Sequence, residues 1–172
     1  MNSTRRLTLA AMLSALGVVL LILGSLVEVM DLVLVMLASL LVVFSVLELG
    51  RAWPYLTYGA TALLALLILQ LRLVVLEYVF FGGLYPIVKY WAEKLPRAIS
   101  LPLKLIFINL SVVCVALVSR AVLGLGLRFG VPHFALLLLL CNAVFFLYDY
   151  ALSRLIVRYL ISIRPRIARL LK

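Results

Sequence analysis

From Leu7 to Val27 the chain carries no charged residue, and its only polar side chains there are hydroxyls. A helix rising about 1.5 Å per residue needs about 20 such residues to cross a hydrocarbon layer of about 30 Å. Lipid offers the backbone no hydrogen-bond partner, so a segment of this kind must close its own ladder as a helix. Arg5-Arg6 ahead of an apolar run is also how a secretory signal begins. The run is longer than a signal core, however, and no small-x-small cleavage site precedes the next span, so it reads as a mature transmembrane helix.

The same pattern recurs to the end of the chain. A short acidic break holding Glu28 and Asp31 is followed by a second apolar run, Leu32 to Leu47, closed by Glu48-Leu49-Gly50-Arg51. Trp53-Pro54-Tyr55 places a helix-starting proline between two interfacial aromatics and opens a third run, Tyr55 to Leu69. The fourth, Leu73 to Tyr90, contains Glu77, Gly82-Gly83 and Pro86, which predict a kink or a locally broken helix. Lys89 to Lys104, with Pro96 and Pro102, reads as the one substantial loop. A fifth span is expected from Leu103 to Leu123, ending in the turn residues Gly124-Leu125-Gly126, and a sixth from Pro132 to Val157. The fold class is thus an all-α integral membrane protein, a single six-helix domain over residues 1–172, with 158–172 a basic amphipathic tail lying along the inner leaflet.

With 67% hydrophobic and only 13% charged residues, a soluble globule is excluded. The net charge of +10 does not point to nucleic acid, because the cations sit at helix ends. With the N-terminus inside, the inner ends collect Arg5, Arg6, Arg51, Lys89, Lys94, Arg97, Lys104, Arg154, Arg158, Arg164, Arg166, Arg169 and Lys172, leaving Arg72 and Arg128 outside and Arg120 within span five. Positive residues accumulate on the cytoplasmic side, so both termini are expected there, in a bacterial cytoplasmic membrane crossed several times.

Ionisable groups inside a span are costly enough to mark function or a specific partner. Glu77 and Arg120 fall near the outer ends of spans four and five, where they either pair or anchor a ligand. Asn109 and Asp149 lie at one depth, roughly 8–10 Å from the inner boundary by helical rise, and are expected as a buried hydrogen-bonded pair. Cys114 and Cys141 sit in apolar spans as small hydrophobes, and the single His133 has no companion ligands, so neither a disulfide, a metal nor a cofactor is expected. No nucleophile, base and orienter occur in a pattern that supports an enzyme.

On the first helix Ala10, Ser14, Gly17 and Gly24 share one face, with Ala11, Ala15 and Ser25 on a neighbouring stripe. Small residues let a second helix approach closely, whether one of the chain's own or that of a separate protein. Six short spans and a first helix reading Ala11-Met12-Leu13-Ser14-Ala15 resemble the substrate-binding S component of energy-coupling factor transporters. In that family an Ala-x-x-x-Ala stripe docks onto a transmembrane T component, which works with ATPase subunits. The resemblance implies docking through Ala11 and Ala15 and a vitamin-like small-molecule ligand in the outer half. Its site would draw on Glu28, Asp31, Glu77, Tyr78, Arg120 and Asn142. The short loop after span one departs from that family. The competing reading is a non-transporting scaffold subunit of cell-envelope assembly, similar to small rod-shape-determining membrane proteins.

Overall fold

The structure, a computed structural model, describes residues 3–50, 52–70, 72–123 and 131–164. Among these residues all regular structure is helical. The helices are α1 (Ser3–Leu26), α2 (Asp31–Glu48), α3 (Trp53–Leu69), α4 (Leu73–Glu77), α5 (Tyr85–Ala92), α6 (Arg97–Leu123) and α7 (Val131–Arg158). A π-helical turn, Tyr78–Gly82, joins α4 to α5 into one broken span. Five spans are long and apolar enough to cross a membrane: α1, α2, Leu73–Ala92, α6 and the α7 region; α3, also apolar, is shorter. The expected turn at Gly124-Leu125-Gly126, Arg51 and Arg128, and the tail beyond Arg164 lie outside the described residues.

The chain forms two compact units, Met1–Arg128 and Phe129–Lys172. In the first, α1 and α2 form a tight antiparallel pair through a 3-10 turn at Glu28–Met30, and α3 runs parallel to α1. The order of contacts fixes this arrangement. Ser14 meets Thr57, Gly17 meets Thr61 and Leu41, and Gly24 meets Val74, Leu34 and the backbone of Asp31. The core gathers Leu21, Val35, Val42, Ala65, Val75 and Tyr78 from α1 through the broken span. A small polar seam crosses it: the Ser45 and Thr57 hydroxyls are 3.0 Å apart, and Thr61 donates to the Thr57 carbonyl at 2.8 Å. Lipid supplies no drive for helix association, so close packing and hydroxyl bonds of this kind are what hold such a layer together. In the second unit α7 continues into a π-helical turn, Tyr159–Ile163.

Span limits follow the sequence closely except at one place. The stretch Lys89 to Lys104 is not a loop, since Lys89 lies in α5 and α6 starts at Arg97 with Pro102 inside it. Pro96 sets that start, its carbonyl accepting from the amides of Ile99 (2.9 Å) and Ser100 (3.0 Å). Pro102, the sixth residue of α6, removes one intrahelical donor in its second turn, and Glu93 neutralises the neighbouring cations. It bonds Lys89 at 2.7 Å and Lys104 at 3.4 Å. Gly50, at φ +61°, ends α2 with its amide on the Ser45 carbonyl (3.1 Å).

The glycines of the broken span are there for space. A Cβ on Gly82 would lie 2.5 Å from Val35 Cγ1, and one on Gly83 would lie 2.4 Å from the Tyr58 ring, whereas one on Gly59 meets nothing within 4 Å. Gly83→Ala should therefore cost about 1–3 kcal/mol through overpacking. Gly59→Ala, in the middle of α3, should be neutral or stabilising by up to about 1 kcal/mol. Thermal unfolding of the two variants in one detergent checks the contrast, and equal melting temperatures would contradict it.

Candidate functional site

The backbone of the fourth span leaves the α-helix at Tyr78–Gly82. A π-helical turn leaves carbonyls without their usual i+4 donor, and at membrane depth these must be met by neighbouring helices. Two side chains do so. Tyr58 of α3 donates its hydroxyl to the Val79 carbonyl at 2.9 Å. Ser111 of α6 has its Oγ 2.8 Å from the Phe80 carbonyl and 2.8 Å from its own helix's Phe107 carbonyl, and its one proton serves either. Gly83 closes the turn through its amide on the Tyr78 carbonyl at 2.8 Å. Pro86, in the first turn of α5, has no amide proton to return to Gly82.

Glu77 is the last residue of α4, immediately before this break. Its Oε2 is buried and has no hydrogen-bond partner. The Asp31 carboxylate, in the first turn of α2, is close enough to act on it with the same sign of charge. Asp31 also accepts from the Leu32 amide at 2.6 Å. Tyr78 is only 1% exposed, its ring 6.1 Å from that of Tyr58. At the same end Arg72 donates to the Ser25 carbonyl at 3.1 Å and so caps the C-terminus of α1.

Of the six residues proposed for a ligand, the structure thus brings Asp31, Glu77 and Tyr78 to one end of the first unit. It does not bring Arg120 to Glu77 as a pair: Arg120 is exposed in the last turn of α6, and no ion pair joins the two among the described residues. A cation in the last turn complements the C-terminal end of the helix dipole without a carboxylate partner. Glu28 lies in the 3-10 turn beside Asp31, its side chain outside what is described. Asn142 belongs to the second unit, where it donates to the Leu138 carbonyl at 2.7 Å. Asn109 lies in the first unit and Asp149 in the second. Asn109 donates to Leu105 at 2.8 Å, and the Asp149 carbonyl accepts from Ser153 at 2.8 Å.

The small residues of α1 divide cleanly. Ala10, Ser14, Gly17 and Gly24 are buried against the chain's own helices, Ser14 reaching the Thr57 carbonyl at 3.2 Å. Ala11 and Ala15 are exposed. Tyr58 and Ser111 were missed in the sequence. The paired glycines announce that something bulky approaches, but nothing in the chain says which helix supplies it. No family model, curated protein or solved structure matches the chain.

The two kinds of group at the break predict opposite stability effects. Tyr58→Phe removes the donor from a buried carbonyl and should destabilise by about 0.6–1.7 kcal/mol. Glu77→Leu removes an oxygen that has no partner and should leave the melting temperature unchanged or raised. Thermal scans in detergent decide this, and a Glu77→Leu variant less stable than Tyr58→Phe would give the carboxylate a structural role.

Proposed function

We propose that this chain is the substrate-binding membrane subunit of an importer of the energy-coupling factor type, docking through α1 onto a T component that carries ATPase subunits. The observation that carries the reading is the division of α1. One small-residue stripe is consumed by internal packing, while Ala11 and Ala15 remain exposed on a helix that needs no further partner within its own unit. An exposed Ala-x-x-x-Ala stripe offers another helix a close approach in lipid. On this reading a vitamin-like molecule enters at the end holding Asp31, Glu77 and Tyr78. Glu28, Arg120 and Asn142 are further candidate contacts. The broken span beside Glu77 supports it, because irregular backbone at membrane depth is tolerated where it lines a binding site. The proposal includes six spans with both termini cytoplasmic, in a bacterial inner membrane.

Ala11→Leu combined with Ala15→Leu should leave the purified protein monodisperse and within about 1 kcal/mol of the parent's stability, because neither side chain meets the core. It should abolish co-purification with a T component and its ATPases. A destabilised double variant that keeps its partners would overturn the docking face, and recovery of envelope-synthesis proteins instead would favour a scaffold. Orientation is checked separately with single cysteines at Val29 and Lys94 in a background lacking Cys114 and Cys141. An impermeant reagent on intact cells should label the first and spare the second.

A further inference from the structure

At the end of the first unit opposite Glu77, a cleft of about 240 Å³ opens between the start of α3 and the end of α5. Its apolar wall includes Val46, Pro54 and Ile87, and its rim is Tyr55, Tyr90 and Trp91, with Lys94 at the mouth. Trp91 Nε1 donates to the Tyr55 hydroxyl at 3.0 Å and so bridges the two helices. The Lys94 ammonium lies 4.1 Å from the Tyr90 ring centre and 4.4 Å from that of Trp91, exposed, and no carboxylate pairs with it among the described residues. The nearby carboxylate, Glu93, is already held by Lys89 and Lys104.

We propose that this cleft holds an anionic phospholipid of the surrounding bilayer. The phosphate sits at Lys94, and the upper acyl chain lies on Val46, Pro54 and Ile87. Three observations select that occupant. The first is charge: Arg5, Arg6, Lys89, Lys94, Arg97 and Lys104 share this end of the unit with only Glu48 and Glu93 among the described residues. The second is depth, because tyrosine and tryptophan with a free cation between them are the side chains that settle at the headgroup level, apolar body inward and polar tip in water. The third is size. The cleft is smaller than the roughly 300–1,000 Å³ that encloses a drug-sized molecule, which suits a headgroup and the first part of a chain whose remainder stays in lipid. The proposal is independent of the importer reading, since an anionic-lipid site serves any membrane protein that must be held at a fixed depth.

The chain has two tryptophans, so Trp53→Phe leaves Trp91 as a sole reporter inside the cleft. The full-length variant is reconstituted into phosphatidylcholine vesicles. Trp91 quenching is then compared for phosphatidylglycerol and phosphatidylcholine, each brominated on the upper acyl chain. A single basic residue at the headgroup level should give the anionic lipid about a fivefold preference at this site, lost in Lys94→Ala and kept in Lys94→Arg. Lys94 is exposed, and helical circular dichroism verifies that each variant is folded. A ratio near one in the parent, or an equal preference in Lys94→Ala, would overturn the proposal. So would displacement of the quencher by millimolar inorganic phosphate, which would make the cleft a site for a soluble anion.

Discussion

Everything in the first unit is arranged around one demand of the bilayer, that no backbone carbonyl be left without a donor. The fourth span departs from the regular ladder at Tyr78–Gly82, and side chains from two helices far apart in the chain reach its carbonyls, Tyr58 of α3 donating to Val79 and Ser111 of α6 lying 2.8 Å from that of Phe80. Because Tyr58 lies against Gly83 and Tyr78, the same contact that caps the Val79 carbonyl also sets the approach of α3. The break is therefore a junction at which α3, α4, α5 and α6 are fixed relative to one another. The carboxylate of Glu77 stands at its edge.

A related economy governs α1. Each turn of a lipid-embedded helix has a face that must meet protein and a face that meets lipid, and small residues on the first are used to shorten distances. Gly17 and Gly24 are both so close to neighbours that a Cβ would come to 3.0 Å, of Thr61 and of Val74 respectively. The second stripe, Ala11 and Ala15, is exposed. Large exposed residues flank it, Met12 and Leu16 among them.

The sequence carried the helices well because length and charge gaps determine them. The run from Leu7 to Val27 and the proline at Trp53-Pro54 each mark an element the structure contains, and Gly82-Gly83-Pro86 mark a break that it contains too. The reading failed at Lys89 to Lys104 because it treated charge as a sign of loop. Glu93 holds two lysines, one of them only 2% exposed, and so compensates the burial of charges that would otherwise stay in a loop. Of the two roles the sequence left open for Glu77 and Arg120, a mutual pair is not formed among the described residues. Depth follows from counting residues along a helix, but which faces oppose depends on packing between helices, and a single sequence encodes that only through side-chain shape. For the same reason Tyr58 could not be picked out as the partner of Val79 from spacing alone.

The two ends of the first unit are electrically unlike, and this has a physical consequence for anything that binds there. At one end Glu77 presents a buried oxygen with no hydrogen-bond partner, while Arg72 donates to the Ser25 carbonyl and caps α1, so that end suits a ligand that brings a hydrogen-bond donor to the oxygen. At the other end Glu93 is shared between two lysines, and Lys94 is left to the aromatic rings, so a ligand there must bring negative charge. The cleft at Lys94 shares no lining residue with the end that holds Asp31, Glu77 and Tyr78, so a molecule entering beside Glu77 and one held at Lys94 do not compete for the same side chains.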